Sequence, residues 1–353
     1  MHKKSLVIGI LIILISVNIG GVFAVDIDVK TVSSAVFDGN TLYVGGSGAN
    51  NYTTIQSAID DALEGDTVFV YDDSSPYYEN VVIDKSIILQ GENNSNTIID
   101  GNKNGNVIHI IADDVTISDF TLQHYGTIWY DSGIKIESND NTITDNNIYG
   151  NYDGACNSST GIYVINSNHN FVENNHILNN SYGIFNTDSK LSIFSANQII
   201  NNYDGIRILN SNNNEIKNNE FINNNCAIVI HSSNGNSIYT NNIKLGGWVG
   251  IDLNRANTNT IKRNNIIENN RYGLRIRWSK YNVVTENNLI QNYEQAFLLS
   301  SQRTAINNNY WDDWNYLFLP RPINCTINII FMLNIPWFKF DWNPAQEPYD
   351  IEV

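Results

Sequence analysis

Six side chains between residues 207 and 278, drawn from four successive repeats, could act on a charged ligand. They are Arg207, His231, Asp252, Arg275, Arg277 and Trp278. Arginine forks bind carboxylates or sulfates through paired hydrogen bonds, and aromatic rings stack on sugar rings. These residue types predict a shallow groove for an extended, acidic glycan. The predicted substrate-binding residues are Tyr163, Phe185, Arg207, Arg277 and Trp278.

The same side chains offer candidates for bond cleavage, namely Asp252, His231 and Arg275. Glycoside hydrolysis needs two carboxylates at a suitable separation. Asp252 could pair with an acid from a turn that precedes a repeat; these acids are Asp204, Asp153 and Glu294. β-Elimination needs a base near the sugar C5 and a cation on its carboxylate, roles open to His231 or Arg275.

A purely structural interpretation of these side chains is also open. Asp252 could pair with Arg275 across neighbouring coils, and the remaining side chains could form ordinary solvated surface. No motif of known polysaccharide lyases, polygalacturonases, pectin methylesterases or alginate epimerases surrounds these residues, which weighs against catalysis.

An internal repeat must position these side chains. Eight segments of the type G-I-x-I start 28, 22, 22, 22, 23, 23 and 23 residues apart, at Gly133, Gly161, Gly183, Gly205, Ala227, Gly250, Gly273 and Ala296. The one long step coincides with an insertion near residues 152–160. Each unit continues with two further short alternating segments, so it predicts three short strands separated by tight turns.

Such a coil cannot bury its own apolar face, so the coils must stack in register. We therefore predict an all-β, right-handed parallel β-helix of about ten three-stranded coils. The apolar pair of each G-I-x-I points inward, and the residue between and the residue after face outward. This alternation places Arg207, His231, Asp252, Arg275 and Arg277 on one outer surface, and Trp278 follows directly after Arg277.

Asparagine recurs with the same period. Eight asparagines stand two residues before the apolar position of the third strand, at Asn146, Asn175, Asn197, Asn219, Asn241, Asn264, Asn287 and Asn309. Asparagine tolerates left-handed backbone angles at turns, and stacked amides can hydrogen-bond along the coil axis. We expect these residues to form a structural ladder and to take no part in chemistry.

The two ends of the chain differ from the repeat. Residues 1–24 have the basic start, short apolar run and small-residue cleavage site of a secretory signal peptide. Residues 25–80 are predicted to form an N-terminal cap with an amphipathic helix at 53–64, residues 81–314 the β-helix, and residues 315–353 an irregular aromatic C-terminal cap. No second membrane span is predicted, so the mature protein is expected outside the cell or on its surface.

Composition narrows the classes of partner. The net charge of −16 repels nucleic acid and anionic lipid. Three widely spaced cysteines imply no disulfide framework. The sequons at Asn51, Asn93, Asn157, Asn179 and Asn324 permit glycosylation. Oligomeric state cannot be read from the sequence.

Several motifs resemble a known family. The stretches Thr54-Ile-Gln-Ser-Ala-Ile-Asp, Gly65-Asp-Thr-Val and Asp84-Lys-Ser-Ile-Ile-Leu-Gln-Gly resemble the first coil of pectin-lyase-like β-helix proteins. With the Asn-rich coils and the tail motif Phe340-Asp-Trp-Asn-Pro-Ala, the chain is similar to the branch of NosD and of archaeal surface proteins with carbohydrate-binding and sugar-hydrolysis repeats. The resemblance implies the fold more specifically than any activity.

The NosD resemblance raises the question of copper. Apart from His2, the histidines are His109, His124, His169, His176 and His231, with Met332 as the one methionine beyond the signal segment. They form no soft-ligand cluster, so no copper site is expected. Calcium stays open, because Asp72-Asp73, Asp113-Asp114 and Asp312-Asp313 supply hard oxygens without an ordered ligand spacing. No metal ligand or cofactor is therefore assigned.

Three hypotheses of function follow. The first is a secreted or surface β-helix protein that binds carbohydrate or an envelope polysaccharide, or has a structural role in the cell envelope, without catalysis. The second is a polysaccharide lyase or glycoside hydrolase acting on an acidic glycan. The third, implied by the resemblance alone, is an accessory protein for metalloenzyme maturation.

Overall fold

The computed structural model describes residues 39–128, 130–150, 159–316, 319–330 and 333–353. The predicted signal peptide, the start of the N-terminal cap, Asp153 and Cys156 lie outside these ranges. Across the described ranges the chain forms three long parallel sheets and one short helix. This confirms the predicted parallel β-helix, with 11 or 12 strands per sheet where about ten coils were expected.

The strands, numbered along the chain, fall into three sheets. Sheet 1, which contains the G-I-x-I segments, comprises β4 (Val81–Ile83), β7 (Ile108–Ile110), β10 (Ser132–Ile136), β13 (Thr160–Ile165), β16 (Tyr182–Thr187), β19 (Asp204–Leu209), β22 (Cys226–His231), β25 (Val249–Asn254), β28 (Tyr272–Arg277), β31 (Glu294–Leu299), β34 (Arg321–Ile330) and β35 (Leu333–Asp341). Sheet 2 comprises β1 (Thr41–Val44), β2 (Thr67–Val70), β5 (Ile88–Gly91), β8 (Thr116–Ser118), β11 (Thr142–Thr144), β14 (Phe171–Glu173), β17 (Ile193–Ser195), β20 (Glu215–Lys217), β23 (Ser237–Tyr239), β26 (Thr260–Lys262), β29 (Val283–Thr285) and β32 (Ala305–Asn307). Sheet 3 comprises β3 (Tyr77–Tyr78), β6 (Ile98–Asp100), β9 (Thr121–Gln123), β12 (Asn147–Tyr149), β15 (His176–Leu178), β18 (Gln198–Ile200), β21 (Glu220–Ile222), β24 (Asn242–Lys244), β27 (Asn265–Ile267), β30 (Asn288–Ile290) and β33 (Tyr310–Trp311).

Helix α1 (Ile55–Asp61) lies at the N-terminal end and is shorter than the predicted 53–64. The side chain of Thr54 caps it by accepting a hydrogen bond from the Ser57 amide at 3.3 Å. The Glu79 carboxylate accepts two more, from the amides of Ile55 at 2.8 Å and Gln56 at 3.0 Å. These bonds satisfy amides of the first turn and hold the helix against the first coils.

The core is a stack of aliphatic side chains, mainly isoleucines, from all three sheets. In sheet 1, for example, Ile206, Ile228 and Ile251 pair directly in register and are fully buried. This is the inward alternation expected from G-I-x-I. Each coil hides its apolar side chains only because the next coil covers them, which is why the repeat has to be regular.

One inward position carries a polar side chain. Asn186 lies between Val164 and Ile208 in the sheet register and is fully buried, and neither its Oδ1 nor its Nδ2 has a hydrogen-bond partner among the described residues. A buried amide without partners costs free energy, since it loses its bonds to water.

We expect Asn186→Val to raise the free energy of unfolding by about 1–3 kcal/mol, since it removes the unsatisfied amide. Denaturant unfolding followed by circular dichroism measures the change. The reverse exchange one coil earlier, Val164→Asn, serves as the control and should destabilise. A lower stability for Asn186→Val than for the parent contradicts this account.

The asparagines at the corner between sheets 2 and 3 are hydrogen-bonded in series. Asn219 is representative: its Nδ2 donates to Oδ1 of Asn241 at 3.0 Å, and its own Oδ1 accepts from the Asn197 backbone amide at 3.0 Å. The left-handed backbone angle expected at these asparagines belongs instead to the residue before each of them, such as Asn218 with φ 55°. That residue makes the turn, which leaves the asparagine side chain to point inward and bond along the axis.

The C-terminal segment forms an antiparallel hairpin of β34 and β35, where an irregular cap was expected. The hairpin extends sheet 1, because β34 pairs in parallel with β31. Beyond β35, Ala345 bridges to Tyr310 of β33. The tail thus pairs with the last coil at sheets 1 and 3.

Candidate functional site

The predicted site residues lie on the outer surface of sheet 1. Register places Arg207, Val229, Asp252 and Arg275 in one row along the axis, and Leu209, His231, Asn254 and Arg277 in the next. Neighbouring coils are about 4.8 Å apart. We call the surface formed by Asp204, Arg207, His231, Trp248, Asp252, Asn254, Arg275 and Arg277 the arginine face.

Asp252 is held by two arginines of the next coil. Arg275 donates from Nε and Nη2 to its two oxygens at 3.0 and 2.7 Å, and Arg277 donates from Nη2 at 2.7 Å. The side chains of Asp252 and Arg275 are only 4% and 7% exposed, whereas that of Arg277 is 23% exposed. Asp252 and Arg275 are therefore buried against each other, whereas Arg277 is partly exposed and keeps donors for a ligand.

Trp248 is a member of this face that the sequence analysis missed. Its ring lies 4.0 Å from the guanidinium carbon of Arg275, a cation–π contact that shields the buried ion pair. Trp248 enters where the repeat lengthens from 22 to 23 residues, between Ala227 and Gly250. That change of period is the sequence signal that could have revealed it.

Asp204 forms a second ion pair. Its carboxylate accepts from Nη1 of Arg207 at 2.6 Å. Burial raises the pKa of Asp204; Arg207 opposes the rise, and the negative charge of Asp252 adds to it. The neighbouring Cys226 is also buried, and burial raises the pKa of its thiol, so this cysteine is a poor nucleophile at neutral pH.

His231 is half-buried among positive charges. Burial lowers its pKa, and the charges of Arg207, Arg255 and Arg277 lower it further against the opposing effect of Asp252. The imidazole is therefore neutral at pH 7 and can accept a proton.

These side chains line a depression of about 150 Å³. Oδ1 of Asn254, also in its lining, has no hydrogen-bond donor among the described residues. Of the three acids considered as partners for Asp252, Asp204 lines the same depression, Asp153 is outside the described ranges, and Glu294 accepts from Nδ2 of Asn324 at 2.9 Å on the hairpin side.

The aromatic side chains of the predicted groove are less accessible than expected. Tyr163 and Phe185 are only 3% and 6% exposed. Their rings stack on each other with centroids 5.4 Å apart, and Tyr130 from a non-repeating loop stacks on Tyr163 with centroids 5.1 Å apart. Trp278, in contrast, is 44% exposed. The accessible part of the site is thus centred on the arginines.

A larger groove of about 610 Å³ lies at the C-terminal end, between β32 and β35. Four of its nine lining residues are aromatic, among them Trp337 and Trp342, and Lys339 is the one charged residue of the lining. We place the candidate site at the smaller depression because buried charges and a histidine converge there.

The fold and this face define a parallel β-helix with a charged depression on its first sheet. A family model described as "Periplasmic copper-binding protein (NosD)" matches residues 59–247 and 161–317. The chain belongs to the NosD family. The archaeal branch suggested by the sequence has no support from these comparisons.

Solved structures agree on the fold. The Dettilon tailspike protein is 14% identical with a TM-score of 0.54, over 76% of this chain and 64% of the tailspike chain. A DFA-IIIase variant from Arthrobacter chlorophenolicus A6 in complex with DFA-III is 11% identical with a TM-score of 0.57, over 89% and 87%. At these identities the likeness shows the fold alone. No curated protein matches the chain.

The copper in the family description does not fit the described side chains. His109 bonds Glu137 at 2.6 Å, His124 bonds Asp100 at 2.7 Å, and His169 lies 3.7 Å from Asp140, each as a separate pair. Within the described ranges no three His, Cys, Asp or Glu side chains are grouped so that they could hold a metal ion. Nor does any helix there have the length and apolar character to cross a membrane.

Proposed function

We propose that this protein works outside the cytoplasm and binds an acidic carbohydrate on the arginine face. The observation that carries the proposal is the concentration of positive charge. Five of the eight arginines, at positions 207, 255, 271, 275 and 277, belong to or surround one depression in a chain of net charge −16. Such a local reversal of charge favours an anionic ligand.

The orientation of Arg277 supports a carboxylate or sulfate as the anionic group. Asp252 holds Nε and Nη2 of Arg277, so the guanidinium is fixed in space while Nη1 bonds no described residue. A preorganised arginine loses little side-chain entropy when an anion binds.

Asn254 supports a ligand that also carries hydroxyl groups. Its amide lies one coil from Arg277 in the same row, and its Oδ1 lacks a donor among the described residues. A rotation about its terminal bond can offer this oxygen to a hydroxyl. Anion and hydroxyl together are the chemistry of uronic acids and sulfated sugars, and the 150 Å³ depression suits a single sugar unit.

Binding to an array of neutral and acidic glycans tests the proposal. We expect acidic glycans to be retained selectively, and Arg277→Ala to weaken the affinity for the best of them at least about tenfold, since a charge-assisted hydrogen bond contributes roughly 1.5–3 kcal/mol. Isothermal titration measures the affinity.

Lys262→Ala is the matched control. It removes one positive charge from the same coil as Asp252 but from sheet 2, where Lys262 pairs with Glu286 at 3.1 Å. Its affinity should stay within about twofold of the parent. Equal binding of neutral and acidic glycans, or equal losses in the two variants, argues against the arginine face as the binding site.

A further inference from the structure

We propose that the arginine face also cleaves its glycan, by β-elimination at a uronate linked through O4, with His231 as the base. This inference rests on the proposed function, since the uronate must bind there first.

The geometry is a short row of three side chains. His231, Asn254 and Arg277 stand on three consecutive coils and pair in register, about 4.8 Å apart from one coil to the next. Arg277 bonds Asp252, which is one coil nearer to His231, so its guanidinium is drawn back over the coil of Asn254. The cation therefore lies about one coil from the imidazole, in the lining of the same depression.

Each member of the row has a role in the reaction. Nη1 of Arg277 binds the uronate carboxylate and stabilises the negative charge that develops on it when C5 loses its proton. Asn254 orients a ring hydroxyl. Asp252 does not touch the substrate; together with Arg275 it is a positioning residue that fixes Arg277.

The step balances without water or an oxidant. A ring nitrogen of His231 takes the proton from C5, and the electron pair of that C–H bond forms the C4=C5 double bond. The C4–O4 bond breaks, and its electron pair leaves on O4. The His231 imidazolium, on the same side of the sugar, returns the proton to O4, so the products are a new hydroxyl and an unsaturated uronate, and His231 is neutral again.

The charges around His231 suit a base at neutral pH. Arg207 of β19, Arg277 of β28 and Arg255 after β25 face it as cations, and Asp252 of β25 faces it as an anion. Because burial and the three cations lower the pKa of His231, the rate should hold its plateau at neutral and mildly alkaline pH and fall in the acid range, where the imidazole becomes protonated.

Hyaluronan and mannuronate-rich alginate are suitable probes, because both contain uronates substituted at O4 in which the C5 hydrogen and O4 lie on the same side of the ring. Unsaturated products are followed by ultraviolet absorbance, chain ends by a reducing-sugar assay, and binding by titration with the same polymers. We expect the full mature chain to release unsaturated products from at least one polymer.

The variants separate chemistry from binding. His231→Gln should lower the rate of unsaturated product formation at least about 100-fold while the affinity stays within about threefold. Arg277→Ala should lower both, and Arg277→Lys should recover part of the affinity.

The two proposals fail in different ways. Binding of a polyuronate without unsaturated product, or a rate unchanged in His231→Gln, overturns the elimination and leaves the binding function standing. New reducing ends without ultraviolet absorbance indicate hydrolysis and also overturn it. If no acidic glycan binds, both proposals are wrong.

Discussion

Asn219→Ala is expected to lower the free energy of unfolding by about 4 kcal/mol. Nδ2 of Asn219 donates to the carbonyls of Phe194 and Lys217 and to Oδ1 of Asn241, at 2.9, 3.0 and 3.0 Å. Oδ1 accepts from N and Nδ2 of Asn197, both at 3.0 Å. Alanine leaves several fully buried partners without a bond, and each such group costs about 1–3 kcal/mol. Denaturant unfolding measures the loss.

Asn242→Ala is the control for this experiment. Asn242 lies one coil further along in β24 and points outward, and its side chain makes no hydrogen bond to another described residue. Its loss should change stability by less than about 0.5 kcal/mol. If the two substitutions lower the free energy of unfolding equally, the amide ladder does not make the expected contribution to stability.

The coils could be predicted from the sequence because the period is carried by the residues that are buried. Ile206, Ile228 and Ile251 can leave water only by stacking, so their spacing reports the register of sheet 1 directly. The first coils lack the G-I-x-I motif, which is why their number was underestimated. The left-handed backbone angle was predicted one residue too late in the chain, because the spacing of the asparagines does not distinguish a turn residue from the residue after it.

Most of the arginine face, although not Trp248, could also be predicted, since register decides which outward side chains are neighbours. Its detailed arrangement could not. Whether Arg277 extends into solvent or turns back to Asp252 depends on rotamers that follow no repeat. Tyr130 covers Tyr163 from a loop outside the period, so the loss of the aromatic surface has no counterpart in the spacing.

The structure of the C-terminal end, too, could be predicted only in part from the sequence. Its aromatic, non-repeating composition predicted a cap. Composition could not show that β34 would continue sheet 1, because that pairing joins residues 297–299 to 324–326 with no repeated motif between them. Nor could it show that a carboxylate would occupy the place of the next asparagine.

That carboxylate is Asp341, and we expect Asp341→Ala to lower the free energy of unfolding by about 3 kcal/mol. Asn309 is the last amide of the ladder, and its N and Nδ2 donate to Oδ2 of Asp341 at 3.0 and 3.1 Å, as does Nε1 of Trp311 at 3.0 Å. Oδ1 accepts from the Asn308 amide at 3.0 Å. An anion suits this position because every neighbour is a donor.

Asp341→Ala should also loosen the C-terminal end locally, because the carboxylate joins the hairpin tail to the final coil. In Asp341→Ala, amide hydrogen exchange and proteolysis should therefore increase first in residues 308–353, ahead of the central coils. Asp341→Asn keeps one acceptor oxygen but turns an amide N–H toward other donors, so it should fall between alanine and the parent. Asp350→Ala removes an exposed carboxylate of the same tail and controls for charge. If Asp341→Ala behaves like Asp350→Ala, the ladder does not depend on the tail for its last acceptor, and the hairpin is held by its other contacts, chiefly the strand pairing with β31.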